Sequence, residues 1–361
     1  MKPGVGVNKI ITKLFGSPSL AADGSLAMQT RWITGQQTDI AMTLSWIPFS
    51  LIALAVIDNP AWLKLLMFSV FLFSFTHQPL SLFLVYGDRQ RFELRRNLFI
   101  WSPLVFCLVI FLALNFSPLV LAILAGAWNV EHTLMQRYGI TRIYGRMVGQ
   151  KQGGSELPLL FAWLTLAVLW SAYDPSTMER VAALGIRGAN LSAFAMMTGM
   201  RSTAGFLLVP ALLTVIWLTG KWLKEEYNRP LNQAKHYYLA STLGLFIVML
   251  INPIVGFIGY VGSHAFEYFM IVNQCLEKSY IEPKKTDSPL GWVANSPLGR
   301  YGLLACYLSL IVLTVFVLEN YASFIVYSMV FFTLGALHFF YDGFIWKLRN
   351  PAVAQSVGVK T

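Results

Sequence analysis

The chain has 361 residues, of which 56% are hydrophobic and only 12% are charged, and its mean hydropathy is +0.58. Because soluble domains carry roughly a quarter charged residues, this composition excludes a protein that folds mainly in water. The net charge of +10 comes from lysines and arginines in short segments between apolar runs, so it does not form the single basic face of a nucleic-acid-binding protein. We therefore expect membrane lipid, and no nucleic acid, among the partners of this chain.

Apolar runs long enough to cross a hydrocarbon core of about 30 Å as helices recur along the whole sequence. They predict an all-α fold, a polytopic membrane bundle of about ten transmembrane helices. A cytoplasmic N-terminal segment of residues 1–37, which lacks the pattern of a cleaved signal peptide, precedes a transmembrane domain of residues 38–347, and a cytoplasmic tail of residues 348–361 follows. The predicted helices lie near residues 42–57, 61–86, 98–115, 117–137, 157–172, 205–223, 237–251, 254–275, 301–318 and 322–347.

The distribution of basic residues predicts the orientation of these helices. With ten spans, 23 lysines and arginines fall on the side that holds both termini, and only 4 fall on the other side. Cytoplasmic loops of membrane proteins carry the excess of Lys and Arg, so we expect both termini in the cytoplasm. An odd error in the number of helices would remove this asymmetry, which therefore supports the ten-span interpretation.

Two connections between predicted helices allow more than one interpretation. Asn252 and Pro253 mark either a tight turn between helices seven and eight or a kink in one long helix, and two spans fit the roughly 40 residues better. The outside connection, residues 174–204, is either a partly ordered loop or contains a short interfacial helix over Met178–Ala189. Its scattered methionines are weak evidence for a copper site.

The three cysteines fall in or at the end of apolar runs and predict buried thiols without a disulfide framework, namely Cys107, Cys275 and Cys306.

Four of the five histidines lie within predicted spans. They occupy helices two, four, eight and ten, which all run from the outside to the cytoplasm. Each lies 9 to 14 residues before a basic residue of the following cytoplasmic charge cluster, namely Arg89, Arg142, Lys278 and Lys347. At 1.5 Å per residue this places them about 13 to 21 Å from that side, in one layer of the membrane. The four are His77, His132, His264 and His338. His236 is expected at a cytoplasmic helix start, unrelated to this layer.

Each of these histidines has polar neighbours on the same helix face. Gln136 and Asp342 each follow a histidine by four residues, Glu267 and Tyr268 follow His264 by three and four, and Ser74 and Ser81 flank His77. Such groups can accept the spare ring N–H and leave the other nitrogen free for a metal. A single intramembrane histidine more often connects helices by a hydrogen bond, but four in one layer predict a shared metal site. Nitrogen donors suit non-haem iron, copper or zinc, and one haem stays open as an alternative.

Three stretches resemble motifs of a bacterial polytopic membrane family, namely Glu131–Gly139, Ser263–Tyr268 and His338–Lys347. This resemblance does not imply a particular biochemical activity. The overall plan, a helical membrane protein with four intramembrane histidines, is also distantly similar to that of the Brp/Blh carotene dioxygenases, although the local motifs differ. That resemblance implies four histidines around a non-haem iron and oxygenase chemistry.

These observations favour a membrane metalloenzyme, a four-histidine non-haem iron or copper oxygenase or oxidoreductase of the bacterial inner membrane. Its substrate would be a lipophilic small molecule, such as an isoprenoid, sterol, quinone or acyl lipid, that enters from the membrane. Two alternatives stay open at this point. Intramembrane histidines and acids also form the proton relays of proton- or ion-coupled transporters, although no internal repeat typical of transporters is evident. A membrane-bound acyltransferase would use one buried histidine as a base and leave three unexplained.

Overall fold

The computed structural model describes residues 30–177, 179 and 191–359. Within those residues the fold is all-α, without a β-strand, and ten helices are long and apolar enough to cross a membrane. The predicted fold class and number of spans are therefore confirmed. The helices are α1 (Gln36–Val56), α2 (Pro60–Tyr86), α3 (Arg96–Phe116), α4 (Pro118–Met147), α5 (Glu156–Tyr173), α6 (Met200–Tyr227), α7 (Gln233–Ile251), α8 (Pro253–Ile281), α9 (Tyr301–Tyr321) and α10 (Phe324–Ile345).

The spans carry large apolar side chains on their outer surface. Leu310, Leu313 and Phe316 of α9 are 57% to 58% exposed, and Phe206 of α6 is 79% exposed. Exposing that much apolar surface to water would be unfavourable by roughly 25 cal/mol for each Å², whereas hydrocarbon solvates it without this penalty. This chain is accordingly a multi-pass membrane protein.

A tight turn separates α7 from α8, as the predicted two-span interpretation requires. Helix α7 ends at Ile251, Asn252 has extended backbone angles, and α8 begins at Pro253. The Asn252 side chain accepts from the backbone N–H of Val255 at 3.2 Å. Proline is favoured in the first turn of a helix because its missing N–H would have no partner there.

The regular helix that contains α6 begins earlier than predicted, at Leu191, and continues to Tyr227. Its N-terminal part occupies residues that the sequence assigned to the outside connection. Pro210 lies inside the helix without ending it, as membrane helices tolerate. The interfacial helix proposed over Met178–Ala189 falls almost entirely outside the described residues and stays a prediction.

The chain forms two compact units, and the described part of the first comprises residues 30–66 and those between 134 and 263. Helix α5 packs against α6 and α7 there. A buried ionic cluster lies among these helices, with Lys235 fully buried beside two fully buried carboxylates, Glu156 and Glu226. The Lys235 ammonium is 2.9 Å from Glu226 Oε1 and also contacts Glu156. Buried charges are tolerated when they are paired in this way.

His236 lies in the first turn of α7, at the helix start that the sequence predicts, and it belongs to this ionic cluster. Its side chain is only 1% exposed, and Nε2 lies 3.1 Å from Glu226 Oε2. The prediction that His236 is separate from the other histidines agrees with its place in the first unit.

The second unit comprises residues 67–133 and 264–359. Helix α10 packs against α3 and against the last part of α2, Pro79–Tyr86. A short helix, Pro351–Ser356, follows α10, and Val357 and Val359 behind it are buried. The core between the long helices consists of apolar and aromatic side chains, namely Leu84, Val85, Phe99, Tyr268, Val272, Leu337, Tyr341 and Ile345.

Candidate metal centre

The four predicted histidines come together inside the second unit. His77 of α2, His132 of α4, His264 of α8 and His338 of α10 each present one ring nitrogen, and these four atoms all lie within 4.8 Å of one another. Three of the side chains are fully buried and His132 is 7% exposed. The expectation that one membrane layer brings these four imidazoles together is therefore met.

Local sequence explains where His77 lies. Helix α2 is interrupted at Gln78, where regular helix Pro60–His77 stops and Pro79–Tyr86 begins. Pro79 has no N–H with which to continue the helical hydrogen bonds, and the Gln78 N–H bonds to Phe75 O at 3.1 Å instead. The histidine is thus the last residue before an interruption in the helix.

The closest pair in the group is His77 and His338, whose Nε2 atoms are 3.1 Å apart. Their rings are inclined at 78°. Two nitrogens held about 2.1 Å from one ion would have this separation at an angle of about 95°. Without an ion, the same distance suits a hydrogen bond in which one of the two nitrogens carries the proton. The pair fits either state.

The other contacts also arrange ring edges toward a shared centre. His132 and His338 have ring centroids 4.7 Å apart at 70°, and His77 and His264 have centroids 4.6 Å apart at 90°. His132 Nε2 is buried without a hydrogen-bond partner in the described part of the chain. Buried polar atoms normally have partners, so an ion at this position would supply the missing interaction. The donor chemistry and spacing therefore fit a bound transition metal after shifts of about 1 Å or less.

Ser81 connects His338 to a carboxylate. Its Oγ lies 2.7 Å from His338 Nδ1 and donates to Asp342 Oδ1 at 2.6 Å. The Tyr268 hydroxyl also donates to Asp342 Oδ1, at 3.0 Å, and is 2.6 Å from Ser81 Oγ. The His338 nitrogen that faces away from the cluster is thus held by a hydroxyl, leaving Nε2 toward His77.

The partner of Ser81 differs from the one that its spacing in the sequence predicts. Ser81 follows His77 by four residues, and the sequence associates the two, yet the Ser81 hydroxyl contacts His338. The second oxygen of Asp342, Oδ2, lies 3.8 Å from both His132 Nε2 and His338 Nε2. At that distance it is an electrostatic neighbour of the two imidazoles and not a hydrogen-bond acceptor.

Two other residues were predicted to support the histidines, Glu267 and Gln136. Glu267 is fully buried in α8. Gln136 is partly buried and belongs to the first unit, so its predicted support of His132 stays a prediction. Phe339 packs on the His132 ring, with centroids 4.5 Å apart and an inclination of 32°. Sequence reasoning gave Phe339 no role, because one apolar residue in a span carries no distinguishing signal.

The cysteines do not join the group of histidines. Cys275 is buried, as expected, and its sulfur accepts from Arg91 Nη2 at 3.0 Å. Cys107 and Cys306 are exposed, so the prediction of buried thiols is wrong for these two. Both lie on spans whose outer faces are apolar, where a thiol behaves as a small hydrophobic group.

In comparisons with known proteins, no family model, curated protein or solved structure matches this chain.

Proposed function

We propose that this chain is a membrane metalloenzyme in which His77, His132, His264 and His338 hold one redox-active metal ion. The observation that carries the proposal is the convergence of four buried ring nitrogens within 4.8 Å. Groups at this depth are costly to keep in a bundle and are commonly functional. Four of them in one place are hard to account for by helix packing alone.

Nitrogen donors favour iron(II), copper or zinc over calcium and magnesium, which prefer oxygen. We propose non-haem iron as the resident ion, with copper as the second choice. When bound, such an ion would supply one-electron and dioxygen chemistry, as in an oxygenase or oxidoreductase.

The residues around the histidines orient the imidazoles and place a carboxylate beside them. Ser81 bonds to His338 Nδ1 and so sets the rotation of that ring. Asp342 accepts the Ser81 and Tyr268 hydroxyls on Oδ1, leaving Oδ2 to face His132 and His338. The Oδ2 atom lies 3.8 Å from each Nε2, so the carboxylate would partly balance the positive charge of an ion held by these nitrogens. Partners of this kind usually change metal affinity or activity about 10- to 100-fold when they are removed.

Aromatic side chains lead from the outer surface of the second unit to the histidines. Trp128 is 37% exposed, its ring is 5.3 Å from that of Phe339, and the Phe339 ring is 4.5 Å from that of His132. An aromatic wall of this kind suits a flat or extended apolar molecule. We therefore propose a lipophilic substrate that arrives from the membrane, and the bacterial inner membrane as the location.

A second candidate function, proton-coupled transport, is favoured by one observation. Asp342, Ser81, His338 and His77 form a continuous series of contacts of 2.6, 2.7 and 3.1 Å. A series of hydroxyl, carboxylate and imidazole groups can relay protons without any metal. The two functions differ in what they require, since only the enzyme needs a tightly held ion.

Metal loading of the purified protein tests the proposal. The protein in neutral detergent is incubated anaerobically with iron(II), copper(I) or zinc(II), desalted, and analysed for metal per chain. We expect about one iron or copper ion per chain, and the same metal bound after reconstitution into liposomes. Less than about one tenth of an ion, together with pH-gradient-driven proton flux in the liposomes, would reject the enzyme in favour of transport.

A further inference from the structure

A cleft of about 1360 Å³ lies in the second unit, next to the ends of the helices that carry three of the histidines. Its walls come from three segments, residues 88–99 after α2, residues 278–288 around the end of α8, and residues 344–356 around the end of α10. The positive-inside pattern predicts this side to be cytoplasmic. The cleft is thus a large concave site whose lining does not include any of the four histidines.

Its lining is strongly basic, and most of this positive charge is not neutralised. Arg91 pairs with Asp88, and Lys278 with Glu282. Five further basic residues line the cleft without an ion pair within the described ranges: Arg89, Arg95, Lys285, Lys347 and Arg349. A cytoplasmic loop is expected to be basic, but that rule does not require three separate segments to direct their charges into one volume.

Two of these cations are held close together on one aromatic ring. The Arg95 guanidinium lies 5.7 Å from the centroid of the Phe344 ring, and the Lys347 ammonium lies 4.8 Å from it. The two charges are therefore at most about 10.5 Å apart and repel each other, and cation–π attraction to the ring offsets part of that repulsion. An anion bound in the cleft would remove it.

Three carboxylates also line the cleft, namely Asp88, Glu93 and Asp287, and Asp88 is engaged in local structure. Asp88 Oδ1 accepts from the backbone N–H of Gln90 at 2.8 Å and of Arg91 at 3.3 Å, which caps the short helix Arg89–Glu93. Asp88 Oδ2 accepts the Tyr280 hydroxyl. These bonds hold Asp88 at the wall. The five cations without an ion pair outnumber the two other carboxylates, Glu93 and Asp287, which are both exposed, so the lining keeps an excess of positive charge for an external anion.

We propose that this cleft binds a phosphate group, as a mono- or diphosphate. Several guanidinium and ammonium groups around one volume match the three or more acceptor oxygens and multiple negative charge of phosphate better than a single carboxylate. The ligand is either a phosphorylated lipid or a soluble phosphate compound. The anion site itself does not depend on a metal.

The position of the cleft adds a substrate class, and this step rests on the proposed function. Phe344 at the cleft follows His338 by six residues of α10, about 9 Å along a helix. A lipid whose phosphate occupies the cleft would have its apolar tail within reach of the four histidines. We therefore infer a phosphorylated amphiphile as the substrate of the metal centre.

Equilibrium binding to the full-length protein in neutral detergent tests the proposal with two probes, inorganic pyrophosphate and dioleoyl phosphatidic acid. We expect saturable binding that weakens as salt is raised. The double variant Arg95→Gln, Lys347→Gln should bind about 10- to 100-fold more weakly. The matched control Lys151→Gln, Lys224→Gln removes two exposed basic residues of predicted cytoplasmic segments that do not line the cleft, and it should stay within about 2-fold of the unmodified protein.

The two probes distinguish the sources of the phosphate. Phosphatidic acid binding more than about 10-fold tighter than pyrophosphate would support a lipid ligand, and similar affinities would support a soluble one. The absence of saturable binding, or equal weakening in the cleft and control variants, would overturn the proposal. If the double variant does not run as a monodisperse species, the single exposed variants Arg349→Gln and Lys285→Gln replace it, each expected to weaken binding about 3- to 10-fold.

A His338→Ala variant separates this proposal from the metal centre. It should lose metal yet keep pyrophosphate affinity within about 2-fold. Failure of the metal proposal would therefore leave the phosphate result intact, and loss of pyrophosphate binding in this variant would contradict a separate anion site.

Discussion

The Nε2 atoms of His77 and His338 lie 3.1 Å apart, although 261 residues separate them in the chain. Helices α2 and α10 therefore place two imidazoles at the distance that ligands of one ion would have. His132 and His264 complete a group that is buried in the second unit.

Removing one of these imidazoles should remove most of the metal. We expect His338→Ala and His264→Ala each to lower metal per chain at least 10-fold after desalting, because three nitrogens hold the ion less tightly and exchange it faster. Metal analysis of the purified variants measures this. His236→Ala, which removes the buried histidine of the other unit, should keep its metal, and equal loss in all three variants would indicate general unfolding instead.

Replacing the carboxylate should weaken the metal site without abolishing it. Asp342→Asn keeps the size of the side chain but removes its charge and replaces one of its two acceptor oxygens with an NH2 donor, so metal affinity should fall about 10- to 100-fold. Ser81→Ala should act in the same direction because Ser81 connects Asp342 to His338. Competition with a chelator of known affinity measures both. Complete loss of metal in Asp342→Asn, with metal retained in His338→Ala, would instead make the carboxylate a ligand.

Much of this site could be predicted from the sequence because the thickness of a membrane sets the length of each spanning helix. A span needs about 20 apolar residues, and basic loops orient it. Those two rules give the depth of each histidine. They do not give the rotation of a helix about its own axis. Spacing alone therefore links Ser81 to His77 on the same helix, whereas the structure places its hydroxyl against His338 of α10.

The pairing of charged residues that are distant in the chain also could not be predicted from the sequence. His236 stands beside Lys235 at the start of α7, and nothing local indicates that both meet Glu226 from the end of α6. The early start of this helix has a different reason. Regular helix begins at Leu191, but a group of polar or small residues interrupts the apolar pattern just before residue 205, namely Thr198, Gly199, Arg201, Ser202 and Thr203.

Loss of Lys235 should destabilise the first unit. Lys235→Met leaves Glu156 and Glu226 buried without their shared ammonium, and breaking a buried pair in this way costs about 3 to 5 kcal/mol. Denaturant unfolding in detergent, followed by tryptophan fluorescence, measures the change. The exposed Lys224→Met control should shift the free energy of unfolding by less than about 0.5 kcal/mol, and an equally small effect of Lys235→Met would argue against the buried cluster.

Thiol labelling should establish the predicted orientation. In a background without the three native cysteines, Lys284→Cys lies in the predicted cytoplasmic segment between α8 and α9, and Asn59→Cys in the predicted outside turn between α1 and α2. A membrane-impermeant maleimide should label position 59 in intact cells and position 284 only after the membrane is opened. The reverse pattern would invert the topology and place the basic cleft outside.

X-ray absorption at the edge of the bound metal tests the central claim most directly, because it reports the ligands themselves. The account predicts about four nitrogen ligands at about 2.0 to 2.2 Å, with the outer-shell scattering typical of imidazole rings, and loss of about one imidazole in any His338 variant that retains metal. A metal surrounded by sulfur or by oxygen alone, or a spectrum unchanged by replacing His338, would contradict a four-histidine centre.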